Sequence, residues 1–450
     1  MNAPKVVVVG GGLAGIQAAL AAADRDAAVT LLERRAHLGG LTWSFEHDGL
    51  WFDNGQHVFL RCCTAYRAFV ERIGGQGDIT IQDRLHIPVL RPGHRMHTIG
   101  RAPLPAPLHL GPSLASYGHL SLRDRVGLIR AALALRRVDP DDPANDEVTF
   151  GSWLRAHGQS TRAIEALWDL ITRPTLNLSS DQASLGLAAF VFRTGLLERA
   201  DAADIGYANV PLRALHDERA RAALDRAGVD VRLGARVEAI EPGPIVVTES
   251  ERLAADAVIV ALDHLAATRL LPEGALVHQR RLAQMPMSAI VNVHLVFDRR
   301  ITDLPMAAAV GSPVEYVFDR TEASGLVSGQ YLVVSLSAAE RHMATPPKQL
   351  ISAMASAVQA LYPQAARASL TNGLVTRERF ATFAAVPGTR ELRPLPRTAI
   401  DGVFLAGAWT ATGWPATMEG AVRSGTAAVH AAFDAVSSVS RQPLVQEVAR

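Results

Sequence analysis

The segment that most constrains this fold is a run of four valines followed at once by spaced glycines. Residues 6–9 have the apolar continuity of a strand buried on both faces, and Gly10, Gly12 and Gly15 follow in the spacing G-x-G-x-x-G. Such glycines allow a tight turn, close approach of a pyrophosphate to the backbone, and close packing of the next helix. The sequence therefore predicts a parallel α/β sheet with this strand, turn and helix at its centre.

A carboxylate ends the second predicted strand. Glu33 follows the apolar run 29–32, about 20 residues beyond the glycines, where an acid accepts hydrogen bonds from both ribose hydroxyls of an adenosine. The phosphates would rest on the N-terminus of a helix over residues 16–23. Glycine spacing alone is a weak signal that ordinary turns also show. Here five features occur in order: the strand, the spaced glycines, the helix, the second strand and its terminal acid. The sequence therefore predicts a dinucleotide site.

Composition excludes several other functions. The chain has 45 Lys and Arg against 44 Asp and Glu, a net charge of +1, which gives no basis for a nucleic acid partner. Lys5 and Lys348 are the only lysines, so Schiff-base catalysis has almost no candidate. The two cysteines, Cys62 and Cys63, are adjacent, so we predict neither a disulfide framework nor a metal site and expect a reducing compartment. No signal peptide or transmembrane helix is predicted, and we expect a cytoplasmic protein.

Residues 81–137 carry a pattern with two interpretations. Residues 81–120 are rich in proline, and residues 124–137 place apolar side chains at helical spacing among arginines. A basic amphipathic helix beside an apolar loop is typical of proteins that insert into a lipid surface. A helix that packs between domains with a solvated rim has the same pattern, so both interpretations stay open.

The pattern of the first 60 residues extends beyond the glycine turn. A glycine doublet, Gly39-Gly40, follows the acid, and an Asp-x-Gly turn begins at Asp53 after a hairpin-like segment. Together these features resemble the flavin-dependent amine oxidase and phytoene desaturase superfamily. The resemblance implies that Arg34 and the doublet lie along FAD, and that residues 54–57 lie towards its redox end.

The last predicted strand leads through a second glycine-containing turn into a helix that begins near Thr417. The free N–H groups and positive dipole end of that helix suit the electron-rich N1–C2=O edge of a reduced flavin. The superfamily usually has an acid after the Ala-Gly of this strand, and Ala408 stands in its place. That contact is therefore expected to be lost or supplied by water. Because this motif contains no cysteine, we expect the FAD to be bound non-covalently.

Three segments narrow the resemblance to the hopanoid-pathway branch of the superfamily, the FAD-dependent hydroxysqualene dehydroxylases. They are Phe-Asp-Asn-Gly-Gln-His at 52–57, Ser-Ala-Ile-Val-Asn-Val-His at 288–294, and Gly-Trp-Pro-Ala-Thr-Met-Glu at 413–419. The resemblance implies a reductive step in which reduced flavin delivers hydride from N5 to a carbon that loses its hydroxyl. It would convert hydroxysqualene into squalene, with electrons from a donor that the sequence does not identify.

The site residues follow from the motifs and the resemblance together. The predicted cofactor contacts are Gly10, Gly12, Leu13, Ala14, Gly15, Glu33, Arg34, Gly39, Gly40, Leu41, Thr42, Asn54, Gly55, Gln56, His57, Val237, Gly407, Ala408, Trp414, Thr417 and Met418. The departing hydroxyl needs a proton, and His57, Asp319 and Glu419 are the candidate donors. An ordinary packed histidine at 57 and a helix first-turn acid at 419 stay open as alternatives.

The implied fold is an α/β Rossmann-type FAD-binding domain, glutathione-reductase-like, with an inserted α+β substrate domain as in amine oxidases. The predicted FAD-binding domain comprises 1–80, 212–275 and 391–450, and the substrate domain comprises 81–211 as its helical part and 276–390 as its sheet part. The partners expected are an apolar C30 isoprenoid, the inner face of a membrane and the electron donor. Alternative functions are a phytoene-type desaturase or amine oxidase, which transfer hydride onto oxidised FAD, and a non-catalytic prenyl-lipid escort. The scarcity of lysine counts against an amine oxidase.

Overall fold

A computed structural model describes residues 3–439 of the chain. Its strands are, in chain order, β1 (Lys5–Val9), β2 (Ala28–Glu33), β3 (Ser44–His47), β4 (Leu50–Asp53), β5 (Val58–Leu60), β6 (Ile79–Ile81), β7 (His86–Leu90), β8 (His97–Gly100), β9 (Ile205–Ala208), β10 (Asp230–Leu233), β11 (Val237–Glu241), β12 (Ile245–Thr248), β13 (Arg252–Ala254), β14 (Ala257–Val260), β15 (Met287–Phe297), β16 (Met306–Ala309), β17 (Tyr316–Asp319), β18 (Gln330–Leu336), β19 (Leu370–Phe383) and β20 (Val403–Leu405).

The helices of the same residues alternate with these strands. They are α1 (Leu13–Ala23), α2 (Thr64–Arg72), α3 (Gly111–Ala115), α4 (Leu122–Leu135), α5 (Pro143–Asp146), α6 (Phe150–Ala156), α7 (Thr161–Ala163), α8 (Asp169–Leu176), α9 (Leu185–Phe192), α10 (Ala220–Arg226), α11 (His264–Leu270), α12 (Gln279–Leu282), α13 (Thr321–Ser324), α14 (Pro347–Leu361) and α15 (Met418–Val439). Wider π-type turns extend α7, α9 and α10 at Ile164–Trp168, Arg193–Leu197 and Ala214–Arg219.

A five-stranded parallel sheet confirms the predicted α/β class. Its order is β10-β2-β1-β14-β20, and every neighbouring pair runs parallel. The central strand β1 is buried from Val6 to Val9, which explains its unbroken apolar sequence. Gly15 packs so closely on the first turn that a Cβ there would overlap the carbonyl oxygen of Gly10.

The two distant parts of the chain meet on this sheet. Helix α15 packs along α1, where a Cβ on Gly425 would overlap the carbonyl oxygen of Ala14, and Gln17 Nε2 donates to Thr426 Oγ1 at 3.0 Å. The glycine turn after β1 and the start of α15 therefore belong to one layer of the molecule. Residues 440–450 of the predicted third segment of the FAD-binding domain lie outside the described residues.

A seven-stranded sheet forms the second layer, in the order β19-β15-β18-β17-β16-β7-β8. Its last two strands come from residues 86–100, where the sequence pattern predicts a proline-rich loop, so that expectation is wrong. Pro88 is tolerated inside β7 because β16 pairs with β7 only at Val89 and Leu90, where no proline N–H is needed. The assignment of 81–211 as purely helical is corrected accordingly, while the domain boundaries themselves stay a prediction.

The two faces of this sheet are covered by different helices. Leu350, Met354 and Val358 of α14 pack with alternate residues of β15 on one face. On the other face the helical segment packs against β16 and β17, and Tyr316 Oη donates to the carbonyl of Leu170 at 2.8 Å. The helical segment and the sheet therefore share one core. No helix within residues 3–439 is long and apolar enough to cross a membrane.

Candidate active site

The glycine turn after β1 leaves an open, backbone-lined gap. Gly10 has φ of +107°, and Gly12 is the N-cap of α1, where no side chain bonds to the first turn of the helix. A Cβ on Gly12 would meet only the Cα of Gly40, at 3.9 Å. The protein's own packing therefore does not require glycine at position 12. The gap at Gly12, beside the free N–H groups that begin with Leu13 and Ala14, suits an anion.

Glu33 closes one side of this gap. Its carboxylate is buried and accepts hydrogen bonds from the N–H of Gly11 at 2.6 Å and of Arg35 at 2.8 Å. The carbonyl of Glu33 accepts from Ala235 N–H at 2.9 Å, which brings the start of β11 at Val237 alongside. The structure thus brings Glu33 and Val237 to the same end of the sheet as the glycine turn.

The glycine doublet lies across the gap. Gly39 N–H donates to the carbonyl of Gly11 at 2.9 Å, and both glycines have positive φ, +94° and +60°. Thr42 Oγ1 donates to the carbonyl of Gly39, so Thr42 fixes the doublet. Leu41 and Arg34 are exposed beside it. The predicted contacts of this loop are therefore gathered around the first turn.

The segment between β20 and α15 supplies the third wall. Gly407, with φ of +137°, donates its N–H to Ser424 Oγ at 2.7 Å, which holds the strand end against α15. Thr417 Oγ1 accepts from Gly420 N–H at 3.2 Å and so caps the helix that starts at Met418. Trp414 packs edge-on against Phe190, with ring centroids 5.2 Å apart.

The turn 54–57 is anchored to the second sheet. The carbonyl of Asn54 accepts hydrogen bonds from Asn292 Nδ2 at 3.3 Å and from Thr376 Oγ1 at 3.0 Å. Two buried polar atoms beside this turn have no partner, the donor Gln56 Nε2 and the acceptor Asn292 Oδ1. Since burying unpaired polar groups is costly, both atoms are available to a bound polar group.

His57 is the candidate proton donor with a free ring nitrogen. Its Nδ1 lies 2.9 Å from the carbonyl of Gly55, which makes Nδ1–H the donor in the neutral ring and leaves Nε2 as an acceptor. Burial lowers the pKa of His57 below its ordinary value. His57 lines a pocket between the turn 53–58, strand β9 and strands β16 and β17, together with Gln56, Met306, Phe318 and Asp319.

Asp319 lies in the same pocket but its carboxylate is engaged. One oxygen accepts from the N–H of Thr321 at 2.9 Å and from its hydroxyl at 2.5 Å, and the other accepts from Gln330 Nε2 at 2.7 Å. Both carboxylate oxygens are therefore already engaged within the protein. Of the two candidates in this pocket, the geometry favours His57.

Glu419 lies away from the pocket and caps a different helix. Its fully buried carboxylate accepts from the N–H groups of Ala65 (3.1 Å) and Tyr66 (2.7 Å) of α2 and pairs with Arg423 at 2.7 Å. The structure does not support Glu419 as the proton donor, because all of these contacts are structural. Glu419 lies in the first turn of α15, as the alternative supposes, and the backbone N–H groups that it bonds belong to α2.

We therefore expect Glu419→Ala to destabilise the protein. Removing the acid leaves two helix N–H groups and a cation without their partner, which costs about 3 kcal/mol. Urea unfolding of the cofactor-free protein measures the loss. Glu273→Ala is the control, because its ion pair with Arg280 is exposed and contributes less than about 1 kcal/mol. Equal stability of the two variants would contradict the structural role of Glu419.

The comparison with protein families identifies the cofactor. The family model "flavin containing amine oxidoreductase" matches residues 13–432. The chain belongs to this family. It is therefore an FAD-dependent oxidoreductase of the Rossmann-type α/β fold predicted from the sequence.

The chain is also similar to individual proteins over nearly its whole length. It is 27% identical to hydroxysqualene dehydroxylase of Rhodopseudomonas palustris, over 94% of this chain and 97% of that one. It is 24% identical to the zeta-carotene desaturase of Zea mays, over 94% and 82%. Among solved structures, cyclohexylamine oxidase of Brevibacterium oxydans covers 98% of this chain and 100% of its own, with a TM-score of 0.72 and 20% identity. This last likeness concerns the fold.

The residues present fit FAD. The open side of Gly12 and the free N–H groups of the first turn would suit a pyrophosphate, the buried acid Glu33 would suit a ribose, and the unpaired donor and acceptor at Gln56 and Asn292 would suit the polar edge of a flavin. Asn292 is a candidate site residue that the sequence does not single out by itself, although it lies within the segment 288–294. The residue contacts themselves stay a prediction.

Proposed function

We propose that this enzyme reductively removes the hydroxyl group of hydroxysqualene, a C30 isoprenoid alcohol, to give squalene and water. Three relatives named hydroxysqualene dehydroxylase, from 25% to 28% identical over 94–96% of this chain, carry the proposal. Bound FAD, once reduced by an external donor, supplies the hydride. The protein must bind the alcohol, protonate the departing oxygen and keep water away.

The pocket at His57 supports these tasks. Nε2 of His57 bonds to no described side chain, so it can take up a proton and pass it to a substrate, and Met306 and Phe318 supply apolar walls. Tyr207 and the buried ion pair of Arg320 with Asp53, at 3.0 Å, also line the pocket. In the proposed reaction the imidazolium of His57 gives its proton to the hydroxyl oxygen as the C–O bond breaks, and hydride completes the new C–H bond.

Anaerobic incubation of the reduced protein with hydroxysqualene, with product mass as the readout, tests the proposal. We expect loss of one oxygen and no change in the carbon skeleton, together with reoxidation of one flavin per squalene. The second candidate is a phytoene-type desaturase, favoured by the zeta-carotene desaturases among the relatives. Desaturated products formed only by the oxidised protein would establish that function instead. A colourless purified protein would favour the non-catalytic escort.

We further propose that α4 docks the enzyme on the cytoplasmic face of a membrane, where such a substrate dissolves. The two interpretations of this helix, packing within the protein and insertion into lipid, concern different faces. Leu128, Ala131 and Leu135 are buried, whereas an outer stripe remains 44–75% exposed. The members of that stripe are Leu122, Val126, Ile129 and Leu133. The flanking arginines at 123, 130, 136 and 137 form no ion pair with any described residue, which suits anionic lipid.

Substitution of the outer stripe tests this docking. We expect the double variant Leu122→Ser, Ile129→Ser to pellet with phosphatidylglycerol liposomes at least about tenfold more weakly, because two exposed leucine-sized side chains no longer insert into the bilayer. Val327→Ser is the control, since Val327 is fully exposed elsewhere. Equal pelleting of the double variant and the control would contradict docking through α4, with no bearing on the chemistry proposed above.

A further inference from the structure

Arg393 is a partly buried arginine whose side-chain hydrogen bonds to described residues all go to the segment between β20 and α15. Its Nη2 donates to the carbonyls of Thr410 at 2.6 Å, Trp414 at 2.7 Å and Ala408 at 3.2 Å, and to Thr412 Oγ1 at 3.3 Å. Its Nε donates to the carbonyl of Trp409 at 3.3 Å. One guanidinium thus forms hydrogen bonds with five residues of the segment that forms the third wall of the FAD site.

Among the described residues Arg393 has no contacting counter-ion, although the Asp146 carboxylate attracts it and the Arg390 cation repels it through space. Within residues 3–439 no carboxylate forms an ion pair with it. Asp146, which attracts it through space, accepts its own hydrogen bond from the N–H of Arg390 at 3.0 Å. Burial lowers the pKa of Arg393 to about 10, so the group is still a cation at neutral pH. Its planar face rests 4.9 Å from the centre of the Phe383 ring.

A partly buried cation that contacts only carbonyl oxygens and one hydroxyl is costly for the free protein. Its contacts lie in the segment where the superfamily usually has an acid, and Ala408 offers only its carbonyl oxygen there. Because residues 406–417 contain no acid, the guanidinium leaves a net positive charge at this wall of the FAD site. Positive charge at such a wall favours a bound anion and, above all, the more negative reduced form of a flavin.

We propose that Arg393 is a positioning residue that fixes the 408–414 wall and gives it a net positive charge that stabilises reduced FAD. This inference depends on the cofactor and on neither the substrate nor the direction of hydride transfer. Residues 408–414 contain two threonines, a glycine and no other cation, so their conformation and their charge both depend on Arg393. The two contributions are separable by substitution, because lysine keeps the charge but cannot form the multidentate contacts of a guanidinium.

The experiment compares Arg393→Met, Arg393→Lys and Ala408→Asp for FAD affinity, by fluorescence titration of the cofactor-free protein, and for flavin midpoint potential. We expect Arg393→Met to weaken FAD binding at least about tenfold and to shift the potential to more negative values. We expect Arg393→Lys to weaken FAD binding but to leave the flavin midpoint potential close to that of the unmodified protein. Ala408→Asp supplies the missing counter-ion, so its potential should become more negative although the fold is retained.

Arg280→Gln is the control, because this arginine pairs with Glu273 on the exposed surface. Arg390 is unsuitable, since its charge acts on Arg393 through space. If Arg393→Met does not fold, the lysine and aspartate variants decide the question. Affinities and potentials of Arg393→Lys and Ala408→Asp equal to those of Arg280→Gln would overturn the proposal. A change in thermal unfolding with no change in potential would reduce Arg393 to a structural residue and would overturn the electrostatic part.

Discussion

Gly12→Ala is expected to fold normally and to lose FAD. A methyl group at position 12 meets only the Cα of Gly40, and the φ of −76° is ordinary for alanine, so the free energy of unfolding should change by about 1 kcal/mol or less. The same methyl group occupies the gap that admits the pyrophosphate. We therefore expect the Kd for FAD to rise about 100-fold or more, since each tenfold step requires only about 1.4 kcal/mol.

Two other glycines make this result specific. Gly77→Ala is the control, because nothing lies within 4 Å of a Cβ at that position, and it should retain both stability and FAD. Gly15→Ala should lose both, because its Cβ overlaps the carbonyl of Gly10. Isothermal titration of the cofactor-free variants together with denaturant unfolding separates the three cases. Full FAD affinity in Gly12→Ala would show that the pyrophosphate does not pass this turn.

His57→Gln is expected to slow dehydroxylation by about 100-fold or more, which is the usual contribution of a positioned proton donor. The amide retains a polar group near the carbonyl of Gly55, so the flavin absorbance should be unchanged. Because burial lowers the pKa of His57 below 6.5, the protonated ring is scarce at neutral pH. The rate of the unmodified enzyme should therefore rise as pH falls through and below this range, and this rise should vanish in His57→Gln.

Single-turnover reoxidation of the reduced protein by substrate, followed at the flavin absorbance over pH 5 to 8, is the measurement. Asp319→Asn is the matched control, because Asp319 lines the same pocket with its carboxylate already engaged by Thr321 and Gln330. It should retain the pH dependence whatever its effect on stability. If the rise in rate at low pH persists in His57→Gln and disappears in Asp319→Asn, Asp319 is the proton donor instead.

Local pattern predicts the parts of this molecule in which neighbours along the chain determine structure. Hydrophobic periodicity and the positions of glycine and proline indicate the strand, glycine turn and helix around Gly10 to Gly15. They also indicate the strand β15 and the helix α14. The resemblance then extends the prediction to FAD and the family, and both are confirmed.

The features that pattern misses depend on contacts between remote segments. The sequence predicts a loop at β7 because a proline, here Pro88, argues against a central strand. The proline is acceptable only because β7 pairs with β16 over so few residues. The partners of Glu419 lie on α2, more than 350 residues earlier. Arg393 looks like any other arginine in a chain with 45 basic residues, and only the converging carbonyls reveal it.

The pairing of β14 with β20 has a consequence for biosynthesis. As the ribosome releases the chain, β1, β2, β10 and β14 can pair, but one edge of β14 stays open until Val403–Leu405 has emerged. The groove on α1 that receives Gly425 is likewise uncovered until then. We therefore expect a nascent chain to bind FAD only after the segment between β20 and α15 has emerged. A ribosome stalled between β14 and β20 would therefore present an apolar strand edge to chaperones.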